Sequence, residues 1–151
     1  MKRETGSIRK NDRLELEITG LTAEGAGVGR TEEGGMAIFV AGTIPGERVL
    51  AHVIKTAKNY AIAKVVEILR PSPDRIQPDC SCFSQCGGCV YRHMTYEREL
   101  SAKEQKVQDA LCRIGGYQEF VVEPIVGADS PDRYRNKAQF PIGLNKEEEP
   151  V

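Results

Sequence analysis

The sequence predicts a mainly β protein with some α-helix, which begins with a small OB-like β-barrel. Five short segments of strand-like pattern fall within residues 1 to 70, and turn-forming residues separate them. Three prolines, Pro71, Pro73 and Pro78, then end this pattern and predict an extended linker over residues 71 to 79. With 151 residues, 40% of them hydrophobic and none Trp, the chain is long enough for one ordinary domain or two small ones.

The first two predicted strands lie in residues 13 to 35. The stretch "RLELEITGL" alternates apolar and polar residues, which is typical of a strand with one face on a core. In "AEGAGVGRTEEGG", which follows, Gly25, Gly27 and Gly29 stand at alternate positions. Glycines spaced in this way permit tight curvature of a strand or the close approach of another backbone.

Three further strands complete the predicted barrel. The stretch "MAIFVAGTIPGERV" contains one strand and then a Pro-Gly turn. The stretch "VLAHVIKTAKNYAIAKVVEIL" contains two more strands on either side of a polar Lys-Asn break. Residues 1 to 70 are therefore predicted to form one barrel domain.

A loop over residues 80 to 93 contains four of the five cysteines in the chain. An odd cysteine count with most of the thiols clustered argues against a secreted disulfide framework and favours metal or redox chemistry in a reducing compartment. No run approaches the roughly 20 apolar residues of a membrane span, and the N-terminus lacks the apolar stretch of a secretory signal. We therefore expect a cytoplasmic protein that has no membrane partner.

Residues 94 to 151 predict a helix and the first strands of an incomplete central α+β domain. Thr95 is suited to cap a helix that runs to about Arg113, and a Gly-Gly pair follows it. The stretches "FVVEPIV" and "NKAQFPIGL" predict strands. The final residues, "NKEEEPV", have a turn-like composition with no partner strand after them, which suggests that the domain continues beyond this sequence.

The order of these segments resembles the N-terminal part of the bacterial uracil-C5 RNA methyltransferases of the RumA/TrmA type, and specifically the RumA/RlmD-type enzymes of 23S rRNA. The barrel resembles a TRAM domain, which is the RNA-binding module of that family. After the barrel come a C-x5-C-G-G-C pattern at Cys80, Cys86 and Cys89, the predicted helix, and "YRNKAQFPIG". The resemblance covers nearly the whole chain, and its most specific parts are the Cys-Gly-Gly-Cys loop and the "YRNK" segment.

The resemblance implies a 4Fe-4S cluster held by Cys80, Cys86 and Cys89, with the fourth ligand beyond residue 151. Thiolates are soft ligands that suit either an iron–sulfur cluster or zinc, so zinc remains the alternative metal. Cys82 is the nearest substitute ligand within the loop. His93 would complete a Cys3His zinc site, although the family gives it no ligand role, and we expect it at the surface or beside the ligands.

The remaining cysteine, Cys112, lies next to Leu111 on the predicted helix. A free cysteine in such a position usually behaves as a small apolar side chain. We therefore expect Cys112 to contribute to packing rather than to metal binding.

The resemblance also implies RNA contacts, in which cations neutralise phosphates and glycine-rich strands allow close approach. The barrel candidates come from loops and strand ends: Arg30, Lys55, Lys58 and Tyr60. A second group combines two cations with an amide beside an aromatic residue: Arg135, Asn136 and Lys137. The implied RNA is 23S rRNA, because the tRNA-modifying members typically lack both the TRAM domain and the cysteine cluster.

In the resembled family, S-adenosylmethionine binds a C-terminal Rossmann-like domain that also contains the catalytic groups. No G-x-G-x-x-G pattern opens a helix in these 151 residues, and we expect no catalytic residue among them. The full-length protein is expected to be a monomeric methyltransferase. The alternative is a stand-alone RNA-binding protein built from a TRAM domain and a zinc knuckle. That alternative explains the residues up to Gly116 but leaves "YRNKAQFPIG" unexplained.

Overall fold

The structure, a computed structural model, describes residues 8–31, 35–133, 137 and 142–149. Within these residues, five strands form a closed barrel in the order β1-β2-β3-β5-β4. The strands are β1 (Arg13–Leu21), β2 (Gly27–Arg30), β3 (Ala37–Ala41), β4 (Arg48–Thr56) and β5 (Tyr60–Arg70). The predicted OB-like barrel is confirmed. Lys58 and Asn59 form the turn between β4 and β5, as the polar break in the sequence predicts.

Closure of the barrel depends on one parallel pair. β1 pairs antiparallel with β2 and β4, and the pairs β2–β3 and β4–β5 are also antiparallel. β3 pairs with β5 in parallel. Every strand therefore has a hydrogen-bonded neighbour on both sides, which leaves the barrel without an open edge.

The core of the barrel consists of inward-facing aliphatic residues at alternate positions. They are Leu16, Ile18, Ile38, Val40, Val49, Ala51, Val53, Ala61 and Ala63. On β2 the inward positions are glycines, because a Cβ atom would clash at Gly27 and would be tightly crowded at Gly29. A Cβ atom on Gly27 would lie 2.0 Å from Thr43 Oγ1, and one on Gly29 would lie 3.2 Å from Leu16 Cβ. The alternate glycines thus allow the strands to close tightly, as their spacing predicts.

A buried carboxylate joins the linker to the barrel. The side chain of Glu47 is fully buried, and its Oε2 accepts a hydrogen bond of 3.0 Å from the backbone N–H of Ile44. Arg75 donates from Nε and Nη2 to the two carboxylate oxygens, and its Nη2 also donates to Gly42 O at 2.8 Å. A buried charge is stable only when it is paired and hydrogen-bonded, so this contact fixes the linker against the turn that precedes β4.

Two helices follow the linker. The short α1 (Phe83–Cys86) lies inside the cysteine loop, and α2 (Tyr96–Asp109) continues into a π-helical turn (Ala110–Ile114). Thr95 caps α2, because its Oγ1 accepts a hydrogen bond of 3.3 Å from the backbone N–H of Arg98. The predicted helix is therefore confirmed. No helix in the described ranges is both long and apolar enough to cross a membrane.

The prediction of a strand at residues 120 to 126 is wrong, because this segment pairs with no strand in the described part of the chain. It runs beside α2 instead. The backbone N–H of Ile125 donates to Glu104 Oε1 at 3.3 Å, and that of Ala128 donates to the Tyr96 hydroxyl at 2.7 Å. A strand-like sequence forms a strand only when a partner satisfies its backbone groups. The second predicted strand, residues 136 to 144, lies largely outside the described residues.

Removing the guanidinium from the buried pair should destabilise the protein strongly. We expect Arg75→Met, which keeps most of the aliphatic stem, to lower the free energy of unfolding by about 3 kcal/mol, because Glu47 then stays buried without its counterion. The matched control is Arg70→Met, since Arg70 pairs with Glu17 at the surface, where the two side chains are 60% and 61% exposed. The control should cost less than about 1 kcal/mol. Equal losses for the two variants in urea unfolding would contradict this account.

Candidate metal-binding segment and nucleic-acid interface

The two ends of the cysteine loop are held together by a short backbone neck. Arg75 and Met94 form an antiparallel bridge, and the backbone N–H of Ile76 donates to His93 O at 3.1 Å. The backbone N–H of Thr95 donates to Asp74 O at 2.9 Å. Because Arg75 also binds Glu47, the neck is connected directly to the barrel.

A second set of contacts, the ion pairs of Arg92 with Asp79 and Asp132, also holds the two ends of the loop together. The Arg92 guanidinium donates from Nε and Nη2 to the two carboxylate oxygens of Asp79, both at 2.6 Å, and from Nη1 to Asp132 Oδ1 at 2.6 Å. The hydrogen bond from Arg92 lowers the pKa of Asp79, and these carboxylates raise the pKa of Arg92. A bidentate pair of this kind fixes the geometry of its two partners. Asp79 precedes the first cysteine and Arg92 follows the last, so this pair closes the loop around all four thiols.

The loop also packs on the barrel at a turn where only glycine fits. Gly25, between β1 and β2, has a φ of +82°, and a Cβ atom there would lie 2.3 Å from Val90 Cγ1 and 2.9 Å from Tyr91 Cε1. A side chain at this position would therefore push the end of the loop away from the barrel. Glycine is needed here because side chains of the loop lie close to the backbone, whereas the sequence pattern predicted strand curvature or the approach of another backbone.

The cysteines themselves lie at the surface. The thiols of Cys80, Cys82, Cys86 and Cys89 are free and exposed. Backbone N–H groups in and around α1 donate back into the loop, from Phe83 to Cys80 O at 3.1 Å and from Cys86 to Cys82 O at 2.8 Å. A Gly-Gly pair separates the last two cysteines, and the first of these glycines has a φ of +65°.

The donor chemistry of this loop suits a soft metal centre, but the described side chains do not form one. Among the residues that the structure describes, no three His, Cys, Asp or Glu side chains converge to hold a metal ion. The three thiols of the predicted ligand set, Cys80, Cys86 and Cys89, are of the right type and are accessible. Binding of a metal centre would require their side chains to move together.

The expectation for Cys112 is wrong, and one of the two positions expected for His93, the surface, is excluded. Cys112 does not pack in an interior; it is exposed on the π-helical turn, because α2 has no buried residue for it to join. His93 is not at the surface; it is 2% exposed, and its ring lies 5.7 Å from the Phe83 ring. Neither ring nitrogen of His93 has a hydrogen-bond partner in the described part of the protein. No feature of the sequence indicated this burial, since a histidine beside cysteines is equally typical of a ligand.

The four barrel candidates lie on the outer surface around the start of β5. Arg30 is exposed at the end of β2, where its Nη1 donates to Gly35 O at 3.3 Å. Ala37 on β3 pairs with Arg30 of β2 on one side and with Tyr60 of β5 on the other. Arg30 and Tyr60 are therefore separated by a single strand. Lys55 pairs with Ile62, and Lys58 lies in the adjoining turn.

Sequence reasoning did not find Phe39, whose ring lies 5.5 Å from that of Tyr60. The only available signal was its position in an alternating strand, which does not distinguish an inward from an outward residue. In the second candidate group, Lys137 is exposed. Arg135 and Asn136 lie outside the described residues.

A closed five-stranded barrel with this strand order belongs to the class of small OB-like β-barrels. Residues 9–66 match the TRAM domain family.

The chain is also similar to proteins named uncharacterized RNA methyltransferases. It is 45% identical over 139 residues to one from Clostridium tetani, covering 92% of this chain and 30% of that protein. It is 43% identical over 143 residues to one from Halalkalibacterium halodurans, covering 95% of this chain and 31% of that protein. For one from Synechocystis, the identity is 40% over 133 residues, with coverage of 88% and 28%. The chain therefore spans about 30% of the length of the curated relatives it matches.

The buried His93 should make folding stability depend on pH. Burial lowers the pKa of His93 from its ordinary value of 6.5, the nearby Arg75 charge lowers it further, and Glu47 opposes them in part. The folded protein therefore keeps His93 neutral at a pH where the unfolded chain takes up a proton. As the pH falls through about 6.5, we expect this group to reduce the free energy of unfolding.

The measurement is urea unfolding of the wild type and of His93→Gln at about pH 7.5 and about pH 5.5. Gln cannot take up the proton, so the variant should lose less stability than the wild type over this interval. If both proteins lose the same amount, His93 does not titrate differently in the two states.

Proposed function

We propose that this chain is the RNA-binding and cluster-binding part of an S-adenosylmethionine-dependent methyltransferase that acts on C5 of a uracil in 23S rRNA. The observation that supports this most is the combination, in one chain, of a TRAM barrel with 40% to 45% identity to proteins named RNA methyltransferases. The Cys-Gly-Gly-Cys loop and the "YRNK" segment support the choice of the uracil-C5 class. The free, clustered cysteines support a cytoplasmic location.

In this proposal the barrel holds RNA mainly through phosphate contacts. Arg30, Lys55 and Lys58 are exposed cations around one region of the outer surface. Each phosphate that a lysine or arginine neutralises releases a counterion, so binding is favourable at low salt and weakens as salt rises. Lys137 would add a cation from the second candidate group. Contacts of this type position the RNA but do not select its sequence.

The cysteine loop would hold the 4Fe-4S cluster through Cys80, Cys86 and Cys89, with a fourth ligand from outside this chain. When bound, the cluster supplies a covalent cross-link between the loop and the segment that provides the fourth ligand. The neck and the Asp79–Arg92 pair keep the ends of the loop together, so fewer conformations must be lost when the thiols are brought together. Zinc at the same thiols is the alternative.

Methyl transfer belongs to the part of the protein outside this chain. The curated relatives are about three times as long as the chain, because it spans about 30% of their length. We propose that S-adenosylmethionine, the nucleophilic cysteine and the catalytic base are found in that remainder, and that the complete protein is a monomer. The TRAM barrel and the loop would then deliver RNA to it.

Salt dependence tests the RNA-binding part of the proposal. We expect a single-stranded RNA oligonucleotide to bind the chain weakly, with an affinity that falls steeply with salt. Arg30→Ala and Lys58→Ala should each weaken binding and reduce the slope of log affinity against log salt by about 0.7, the value for one phosphate contact on a single strand. Arg48→Ala is the matched control, because Arg48 is paired with Glu15 at 2.7 Å, and it should change neither quantity. Affinity that is independent of salt would contradict phosphate binding.

Ligand substitutions test the cluster in the full-length protein. After anaerobic purification we expect a brown protein that contains iron and sulfide, and Cys86→Ser should abolish the colour because it removes a ligand. Cys82→Ser and Cys112→Ser are the controls and should leave absorbance and iron content nearly unchanged. If Cys82→Ser bleaches the protein as fully as Cys86→Ser, the four clustered thiols form the site by themselves. A protein that contains zinc and no iron would support the zinc-knuckle alternative.

A further inference from the structure

An apolar surface runs across the outside of the barrel on β2, β3 and β5. In the strand register, Val28 pairs with Phe39, and Phe39 pairs with Ile62. The neighbours of Phe39 and Ile62 along the chain, such as Ile38 and Ala61, are buried in the core, so Phe39 and Ile62 themselves point outward. Tyr60 lies on the same outer face and is 37% exposed.

Two aromatic rings lie together on this surface. The ring centroids of Phe39 and Tyr60 are 5.5 Å apart, and the planes are tilted by 40°. The two rings do not form one continuous plane, so two bases resting on them would be splayed apart rather than stacked as in a duplex. Splayed, unstacked bases are available only in single-stranded nucleic acid.

Cations surround the aromatic pair. Arg30 flanks Tyr60 across Ala37, and Lys55 pairs with Ile62 from the β4 side. Lys64 pairs with Ala41 on β3 at the far end of this surface. Lys64 follows Tyr60 by four residues, which corresponds to about 13 Å along a strand. The cations therefore lie on both sides of the aromatic pair and at its end.

Charge complementarity favours a polyanion as the occupant. Among the described residues on the outer face of β2, β3 and β5 between Arg30 and Lys64, none is a carboxylate. The outer face of β1 differs, because Glu15 and Glu17 are paired there with Arg48 and Arg70. At the described positions between Arg30 and Lys64, the cations of a mixed-charge protein partner would find no carboxylate to pair with, whereas phosphates would meet the cations Arg30, Lys55 and Lys64.

We infer that the outer face of β3 and β5 is a binding platform for single-stranded RNA, on which Phe39 and Tyr60 stack two unpaired bases while Arg30, Lys55 and Lys64 contact the flanking phosphates. This inference rests on the proposed RNA-binding role of the barrel. Beyond that role, the inference specifies that the bound RNA is single-stranded and that the two aromatic rings select unpaired RNA. Stacking on aromatic rings is tolerant of sequence, because every base has a π-face, so the platform would favour unpaired RNA over duplex without choosing particular bases.

The test compares a single-stranded RNA of twelve nucleotides with the same sequence in a perfect duplex, by fluorescence anisotropy. The double variant Phe39→Leu/Tyr60→Leu keeps an apolar surface but removes both rings, and we expect it to weaken single-strand binding by at least about tenfold. The slope of log affinity against log salt should stay unchanged for this variant, because no phosphate contact is lost.

Three controls accompany this variant. Tyr60→Phe should bind as the wild type does, since stacking does not need the hydroxyl. Tyr117→Leu is the control for an exposed ring outside the barrel. Circular dichroism and the Tm confirm that each variant is folded.

The possible outcomes separate this inference from the proposed function. If the double variant binds single strands as tightly as the wild type while Arg30→Ala and Lys58→Ala bind more weakly, the RNA-binding role stands and the platform is wrong. If the wild type binds no RNA at low salt, both are wrong. If the wild type is a dimer in solution that the double variant converts to a monomer, with RNA affinity unchanged, the face is a contact between copies and the inference is overturned. Equal loss of duplex and single-strand affinity in the double variant would also overturn it.

Discussion

The structure depends on one buried charge, the carboxylate of Glu47. Its side chain has no exposure to water, so its ionised form is stable only through the Ile44 N–H and the Arg75 guanidinium. Arg75 is also the residue whose backbone pairs with Met94 to close the cysteine loop. The ion pair between Glu47 and Arg75 therefore stabilises the buried carboxylate and also fixes the position of the cysteine loop. Through this pair the barrel and the loop are joined.

The two ends of the cysteine loop are anchored by contacts, whereas the thiols between them are accessible to solvent. Its ends are held by the neck, by the Asp79–Arg92 pair and by packing against Gly25, while its four thiols remain exposed. This arrangement suits a site that is completed by a ligand from another segment, because the thiols stay within reach and the anchor does not have to move. It also explains the burial of His93, which lies under α1 beside Phe83 and contributes packing to the anchor.

Local patterns predicted the local structure well. Period-two alternation identified the strands of the barrel, and Thr95 marked the start of α2, because strand faces and helix caps depend on residues close in sequence. The contacts between distant segments were not predictable. Glu47 and Arg75 are 28 residues apart, and each resembles an ordinary surface charge in the sequence. The strand expected at residues 120 to 126 failed for the related reason that pairing depends on a neighbour that the segment itself does not specify.

In the proposed RNA-binding role, the distribution of charge on the barrel explains how a chain with a formal net charge of −1 would attract RNA. The carboxylates of Glu15 and Glu17 on β1 are paired with Arg48 of β4 and Arg70 of β5, so these charges offset each other. Around β3 and the first part of β5, the described outer positions from Arg30 to Lys64 include cations and two aromatic rings but no carboxylate, whereas Glu67 lies further along β5. Attraction of a polyanion depends on the local field within about 10 Å at moderate salt, so a patch can act although the whole chain is nearly neutral. Both faces come from alternating sequences of the same kind, and only the strand register distinguishes the ion-paired arginines of one face from the cations around the aromatic pair on the other.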